Sequence, residues 1–324
     1  MSTAVLVLVW LALTAYALLA GADFGAGTWD LLAGSSERGR PRRRLIEHVI
    51  GPVWEANHVW LIFVLVLLWT CFPTVFAALA STLWVPLTLA ALGIIARGSA
   101  FAFRKAVGTL AQQRAFGAAF ALSSVLTPFF LGTAAGAVAA GAVPAGLAGA
   151  DPIRSWTSAL PLLTGVLAVL ACGYLAATYL CGDADRQGAD AEWFRWRSVV
   201  TGVATGAVSL AGLPVVAHSA PALYDGLTGR GLPLVAGSVA AGMLSLLLVL
   251  TRRYLLARLA AGLAVAALLW GWALAQYPHL LPGVDVGSSA APASTLSATL
   301  VASAIGLLLL VPSMAWLFRL FQQP

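Results

Sequence analysis

A carboxylate, an amide and an imidazole sit close together in Ile50-Gly51-Pro52-Val53-Trp54-Glu55-Ala56-Asn57-His58-Val59-Trp60, just before the chain turns wholly apolar. On a helix Glu55 and His58 are i,i+3 and share a face, with Pro52 behind them and His48 one heptad back, while Asn57 points elsewhere. Pro52 suits the start of that helix, where a missing N–H does no harm. A carboxylate beside an imidazole passes protons where the surroundings let each titrate near neutrality. The same residues also make a satisfied polar start to a helix, and on their own they leave both readings open.

A second group of ionisable residues flanks this stretch. Asp23 and Asp30 lie in Gly21-Ala22-Asp23-Phe24-Gly25-Ala26-Gly27-Thr28-Trp29-Asp30, where glycines permit close approach of a neighbouring backbone and Asp23 can serve as an interfacial cap. Arg97, in Ala96-Arg97-Gly98-Ser99-Ala100-Phe101-Ala102-Phe103-Arg104-Lys105, is a counter-ion for Asp23 or Glu55 if it is more than a flanking charge. For Arg104 and Lys105 the flanking reading is the better one.

The elements that must position these groups are membrane helices. With 60% hydrophobic and 9% charged residues and a mean hydropathy of +0.92, the chain needs lipid as its solvent. Inside a bilayer every backbone polar group must be satisfied internally, and long apolar runs select helices over a barrel. Apolar runs predict spans near Thr3–Gly21, Ile50–Phe72, Thr74–Ile95, Phe116–Ala140, Leu160–Leu180, Val199–Ala217, Gly231–Leu250, Leu255–Gln276 and Leu296–Leu320. The expectation is an all-α polytopic membrane protein with about nine transmembrane helices. It forms a single integral membrane domain over residues 1–324, with helices 1–4 in about 3–140 and helices 5–9 in about 160–320.

Charge placement supports this count. With the N-terminus outside and the C-terminus cytoplasmic, nearly all of the 18 Lys and Arg residues fall in inner segments, and only Arg154 and Arg230 are left outside. The net charge of +6 is thereby a matter of topology, not of nucleic-acid binding. No Lys or Arg precedes the first apolar run, which is long enough to span, so it reads as a retained helix and not a cleaved leader. The longest polar connection runs from Gly182 to Trp196. Most tryptophans, Trp54, Trp60, Trp69, Trp84, Trp193, Trp196, Trp270 and Trp272 among them, lie near span ends, as interfacial anchors do. Gly132, Gly136 and Gly141 suggest close helix packing. Gly21-Ala22-Asp23 and Cys181-Gly182-Asp183 faintly suggest an internal repeat.

Several chemistries are not indicated. Cys71, Cys172 and Cys181 are isolated, His218 and His279 fall far apart in outer loops, and no phosphate-cradling G-x-x-x-x-G-K-[ST] occurs.

The polar stretches resemble those of subunit II of cytochrome bd-type quinol oxidases, including the cyanide-insensitive branch. Residues 50–60 are similar to I-G-P-x-W-[DE]-x-N-[QEH]-V-W, residues 21–27 to the end of D-G-x-D-[LM]-G-V-G, and Arg97 to Arg104 to R-G-x-x-F-x-[FY]-R. Pro128 through Gly132 with Gly136, and Tyr277-Pro278-x-x-Leu281-Pro282, fit as well, so the likeness covers nearly the whole chain. The first acid of the glycine-rich signature is Ala20 here.

The resemblance implies two four-helix bundles plus one peripheral helix, in the plasma (inner) membrane of a bacterium. It implies a heterodimer whose subunit I carries two b-type haems and haem d, oxidises quinol outside and reduces oxygen to water. Subunit II would bind no haem, supporting subunit I and conducting cytoplasmic protons toward the oxygen-reducing haem. It would not be catalytic alone. Glu55 matches the acid of that route, with Asp23, Asn57 and His58 beside it and Arg97, Trp54 and Trp60 as structural or charge partners. Small single-helix subunits and a structural quinone occur in some relatives, and no residue here places a quinone. A proton-coupled secondary transporter and a purely structural scaffold are the alternatives. A transporter puts its polar groups near the midplane of broken helices, unlike the polar cluster read here at a span edge.

Overall fold

The computed structural model describes residues 1–34, 37, 39–50, 54–104, 107–147 and 149–321, without the side chains of 50, 54, 55, 104, 110, 317, 318, 320 and 321. Helix α1 (Ser2–Leu31) leads into the short amphipathic α2 (Arg40–Ile50) and then α3 (Trp54–Cys71). A bend of 119° separates α3 from α4 (Pro73–Thr82), after which α5 (Trp84–Arg104) and α6 (Leu110–Ala139) complete the first half. The second half holds α7 (Arg154–Thr157), α8 (Ala159–Arg186), α9 (Ala191–Ser219), α10 (Pro221–Thr228), α11 (Leu232–Leu250), α12 (Tyr254–Gln276) and α13 (Ala293–Phe321). A two-stranded antiparallel ribbon, β1 (His279–Leu281) with β2 (Val284–Asp285), lies between the last two helices.

Among the described residues eight helices are long and apolar enough to cross a membrane, or nine when the bent pair α3 and α4 is one span. The chain is therefore a multi-pass helical membrane protein. Helices α1, α3, α5 and α6 pack as one bundle and α8, α9, α11 and α12 as a second, with α13 lying against the outside of α3 and α1. Charged side chains from α2, from the start of α9 and from the turn between α11 and α12 meet at one end of the molecule. There Arg42 reaches Asp190 at 2.6 Å and Arg252 reaches Glu192 at 2.7 Å.

Three expectations are corrected. The glycine-rich stretch does not follow the first span but is part of it: α1 runs on for 30 residues, about 45 Å at 1.5 Å per residue, well beyond the ~30 Å hydrocarbon core. Asp23 and Asp30 are thus buried inside a helix, not capping one. Residues 74–95 are not a single span, because the helix breaks at Leu83 between α4 and α5, and the crossing helix is α5. The connection from 182 to 196 is mostly helical, since α8 continues to Arg186 and Asp190 caps α9 by accepting a hydrogen bond from the Trp193 N–H.

Close seams hold the two bundles together. A Cβ on Gly25 would lie 1.9 Å from the carbonyl oxygen of Cys172, so only glycine lets α1 meet α8 at that depth. Gly132 and Gly136 bring α6 onto Thr164, Gly165 and Pro161 of α8 in the same way. Gly141 works differently from the helix-contact role expected of it. At φ +66° it lies past the end of α6, where the Ala142 and Gly141 N–H groups donate to the Ala137 and Val138 carbonyls and close the helix in a left-handed cap.

Candidate functional site

The polar cluster lies where α1, α3, α5 and α6 converge, some two turns in from the arginine-bearing end. Arg97, on α5, is 1% exposed. Its Nη1 donates to Asp23 Oδ2 at 2.8 Å and its Nη2 to Asp23 Oδ1 at 2.7 Å, a two-pronged pair that engages both carboxylate oxygens. Nη2 also reaches the Asp23 carbonyl at 3.1 Å, and Nε donates to Ser124 Oγ on α6 at 2.9 Å. The rings of Phe24 and Phe120 stand 5.2 and 4.8 Å from the guanidinium centre. Every strong donor of Arg97 thereby faces a partner, which is the condition under which a buried ion pair holds.

The local sequence makes this possible. Gly27, one turn past Asp23, leaves room for Ser124, whose oxygen would lie 2.2 Å from a Cβ at that position. Gly93, one turn before Arg97, does the same for Thr127. The glycines set helix separation, and the separation lets a long side chain on α5 reach across to α1.

Helix α3 closes the other side. Asn57 is buried at 2% exposure and its Nδ2 donates to the Leu19 carbonyl at 3.4 Å, while the His58 ring sits 6.0 Å from the rings of both Tyr16 and Phe24. Both therefore face α1, so Asn57 does not point away from His58 as helical spacing suggested. Trp60 packs against Tyr16, Ala20 and Phe24. The Tyr16 hydroxyl, Asn57 Oδ1, His58 Nδ1 and Trp60 Nε1 are buried with no protein partner, a concentration of unsatisfied polar atoms next to the Asp23–Arg97 pair.

The structure joins Asp23, Arg97, Asn57, His58 and Trp60 in one region. Of the two counter-ions considered for Arg97, it pairs Asp23. Glu55 and Trp54 occupy the first turn of α3, but their side chains, like Pro52, lie outside the described residues. His48 lies on α2 and is exposed, and residues 51–53 between α2 and α3 lie outside the described residues. Sequence reasoning missed Tyr16, Ser124, Phe24 and Phe120. A polar residue at mid-helix in an apolar span, as Ser124 is, was the available signal.

A second charged pair lies in the other bundle. Asp183 on α8 accepts from Arg258 Nη2 on α12 at 2.9 Å and also pairs with Arg186, and Arg258 covers the Tyr179 ring at 4.7 Å. This pair is more open, with side-chain exposures of 14% for Asp183 and 31% for Arg258. At the opposite end His279 pairs with Asp285, and both are exposed. His218 is exposed at the end of α9. Among the described residues no group of three His, Cys, Asp or Glu is placed to hold a metal ion.

Comparison with known proteins gives one answer. The family model described as Cytochrome bd terminal oxidase subunit II matches residues 1–321. A curated relative from Bacillus subtilis (strain 168), Cytochrome bd ubiquinol oxidase subunit 2, is 32% identical over 126 residues, which is 39% of this chain. The match spans 36% of that relative's length. A chain in the solved structure of bd oxidase from Geobacillus thermodenitrificans is similar along 99% of this chain and 98% of its own, with a TM-score of 0.85 and 26% identity.

Proposed function

The chain belongs to the cytochrome bd terminal oxidase subunit II family, and from that premise we propose that it is the haem-free subunit of a respiratory quinol oxidase that reduces oxygen to water. It works in the inner membrane of a bacterium, N-terminus outside, bound to a haem-bearing subunit I. The abundance of arginine at one end of the helices supports that orientation. The small single-helix subunits and structural quinone known in some relatives belong to the same proposal, and neither is assigned to residues here.

The single observation that carries a functional role beyond scaffolding is the buried polar cluster of α1, α3 and α5. Oxygen reduction consumes protons, and a subunit that brings them from the cytoplasm needs an acid near the inner face and polar side chains leading inward from it. Glu55, in the first turn of α3, is the entry acid in this reading: it takes a proton from water and hands it on, returning to the carboxylate. His58, one turn further along the helix, and Asn57 continue the route beside Tyr16. Asp23 contributes through its pair with Arg97, a fixed charge distribution beside that route, and Trp60 packs its wall.

The absence of haem from this chain is supported by where its histidines lie. His48, His218 and His279 are exposed, and His58 stands between aromatic rings. The donor set suits polar contact and proton transfer, not axial ligation from two sides.

The test is Glu55→Gln in the assembled complex. Oxygen consumption falls about 100- to 10,000-fold, in line with loss of a positioned proton-transfer group, while haem absorbance and subunit yield stay near those of the parent. Unchanged turnover across pH makes Glu55 structural and the chain a scaffold. Loss of haem absorbance places the residue at the subunit interface instead. Purification of the chain without any haem-bearing companion would remove the oxidase reading altogether.

A further inference from the structure

Helix α2 carries more positive charge than the protein itself uses. Of its four arginines, Arg42 pairs with Asp190 at 2.6 Å and donates to the Ala33 carbonyl at 3.1 Å, while Arg43 donates to the Gly34 carbonyl at 2.7 Å. Arg40 and Arg44 are exposed and have no carboxylate partner among the described residues. With His48 they recur every four residues, so three basic groups line one helical face.

That face borders an open surface pocket of about 750 Å³, roomy enough for a lipid headgroup. Arg40, Arg44 and His48 form one wall, the 187–189 turn the other, and Pro41 and Leu45 add apolar surface. Glu37 also lines it, a single carboxylate against two arginines and a histidine.

We propose that this cavity binds the phosphodiester headgroup of an anionic phospholipid of the inner leaflet. Arginine forks match phosphate oxygens in pairs. The site's place in the chain identifies the source of the phosphate, because α2 lies between α1, long and apolar enough to span, and the bent pair α3 and α4, at the end where the charged side chains gather. Beside it Trp193 lies between Arg42 and Arg197, whose guanidinium centres stand 4.6 and 3.4 Å from its ring, a stack suited to the interfacial layer. The apolar strip from Pro41 and Leu45 meets the glycerol and ester region, which a soluble anion lacks. The proposal rests on the arginine-bearing end facing the cytoplasm and not on the proton route.

The test uses the purified complex in nanodiscs of phosphatidylcholine with a minor fraction of phosphatidylglycerol, with lipid retention read by native mass spectrometry. The parent retains phosphatidylglycerol over phosphatidylcholine, and retention weakens as salt rises. The double variant Arg40→Gln and Arg44→Gln lowers retention about 10- to 25-fold, from roughly fivefold per arginine. Arg40→Lys with Arg44→Lys keeps most of it. Unaltered retention in the glutamine variant, or retention in the parent that ignores salt, overturns the proposal. Inorganic phosphate that displaces the lipid and binds the delipidated complex equally well overturns the lipid assignment in favour of a free anion. Oxygen consumption, the readout for Glu55, is recorded on the same samples, so the two readings fail separately.

Discussion

The two bundles each hold an aspartate and an arginine drawn from different helices, yet the pairs sit in different solvents. Asp23 and Arg97 have side-chain exposures of 3% and 2%, with serine and two aromatic rings completing the shell. Asp183 and Arg258 keep 14% and 31% of theirs and share the aspartate with Arg186. Neither arrangement is a copy of the other, because Arg97 comes from the third long helix of its bundle and Arg258 from the fourth. The faint repeat in the sequence is therefore not matched in detail. Identical chemistry fixes helix positions when it is sealed and only decorates a rim when it is wet.

The difference is measurable. The largest effect is expected for Arg97→Leu, which strands a buried carboxylate and costs about 3–5 kcal/mol. Thermal unfolding of the complex should shift sharply downward or yield should collapse. Adding Asp23→Leu should restore part of the loss, and a double-mutant cycle with no coupling would mean that the two charges are held independently. Next comes Gly25→Ala, whose new methyl meets the Cys172 carbonyl. Forcing α1 off α8 costs about 1–3 kcal/mol, read as a lower melting temperature, and a parent-like value would refute the tight seam.

Arg258→Gln should cost less, about 0–1 kcal/mol, and that cost should shrink as salt rises. A loss as large as that of Arg97→Leu would erase the contrast between the bundles. The smallest effect concerns Asp151, outside the spans, whose carboxyl is held below its ordinary range chiefly by hydrogen bonds from the Arg154 and Ile153 N–H groups. A depressed folded value means that its contribution is present above the ordinary aspartate range and lost as pH falls through the folded one. Amide exchange over 153–157 should accelerate only at acid pH, and in Asp151→Ala it should be fast throughout.

Much of this architecture was legible beforehand. Apolar runs located the spans within a few residues, as for Gly231–Leu250 against the observed Leu232–Leu250. The exceptions have physical causes. Helix α1 outran its apolar segment because glycine and aspartate lower helix propensity, and only packing against α8 repays that cost. Helix α4 was absorbed into a span with α5 because composition does not reveal the break at Leu83 between them. Arg97 was legible as a partner for Asp23 or Glu55, but the choice required knowing how α5 and α1 both pack on α6. Ser124 and Tyr16 went unnoticed because a single mid-helix hydroxyl marks a polar position without naming its partner, and the Asp183–Arg258 contact joins residues too distant in sequence to pair by pattern.

Helix α13 closes on α3 and α1, with Leu296 packed among Val5, Leu67 and Cys71, and just before it the Ala291 N–H donates to the Cys71 carbonyl at 2.9 Å. The wall that finishes the first-made bundle is thus supplied by the last-made helix. During synthesis that bundle waits, one side open to lipid, until the ribosome has delivered nearly the entire polypeptide. Quality control in the cell therefore has a single late event to monitor, and stop codons ahead of the final span leave the earliest segment, not merely the tail, without its cover.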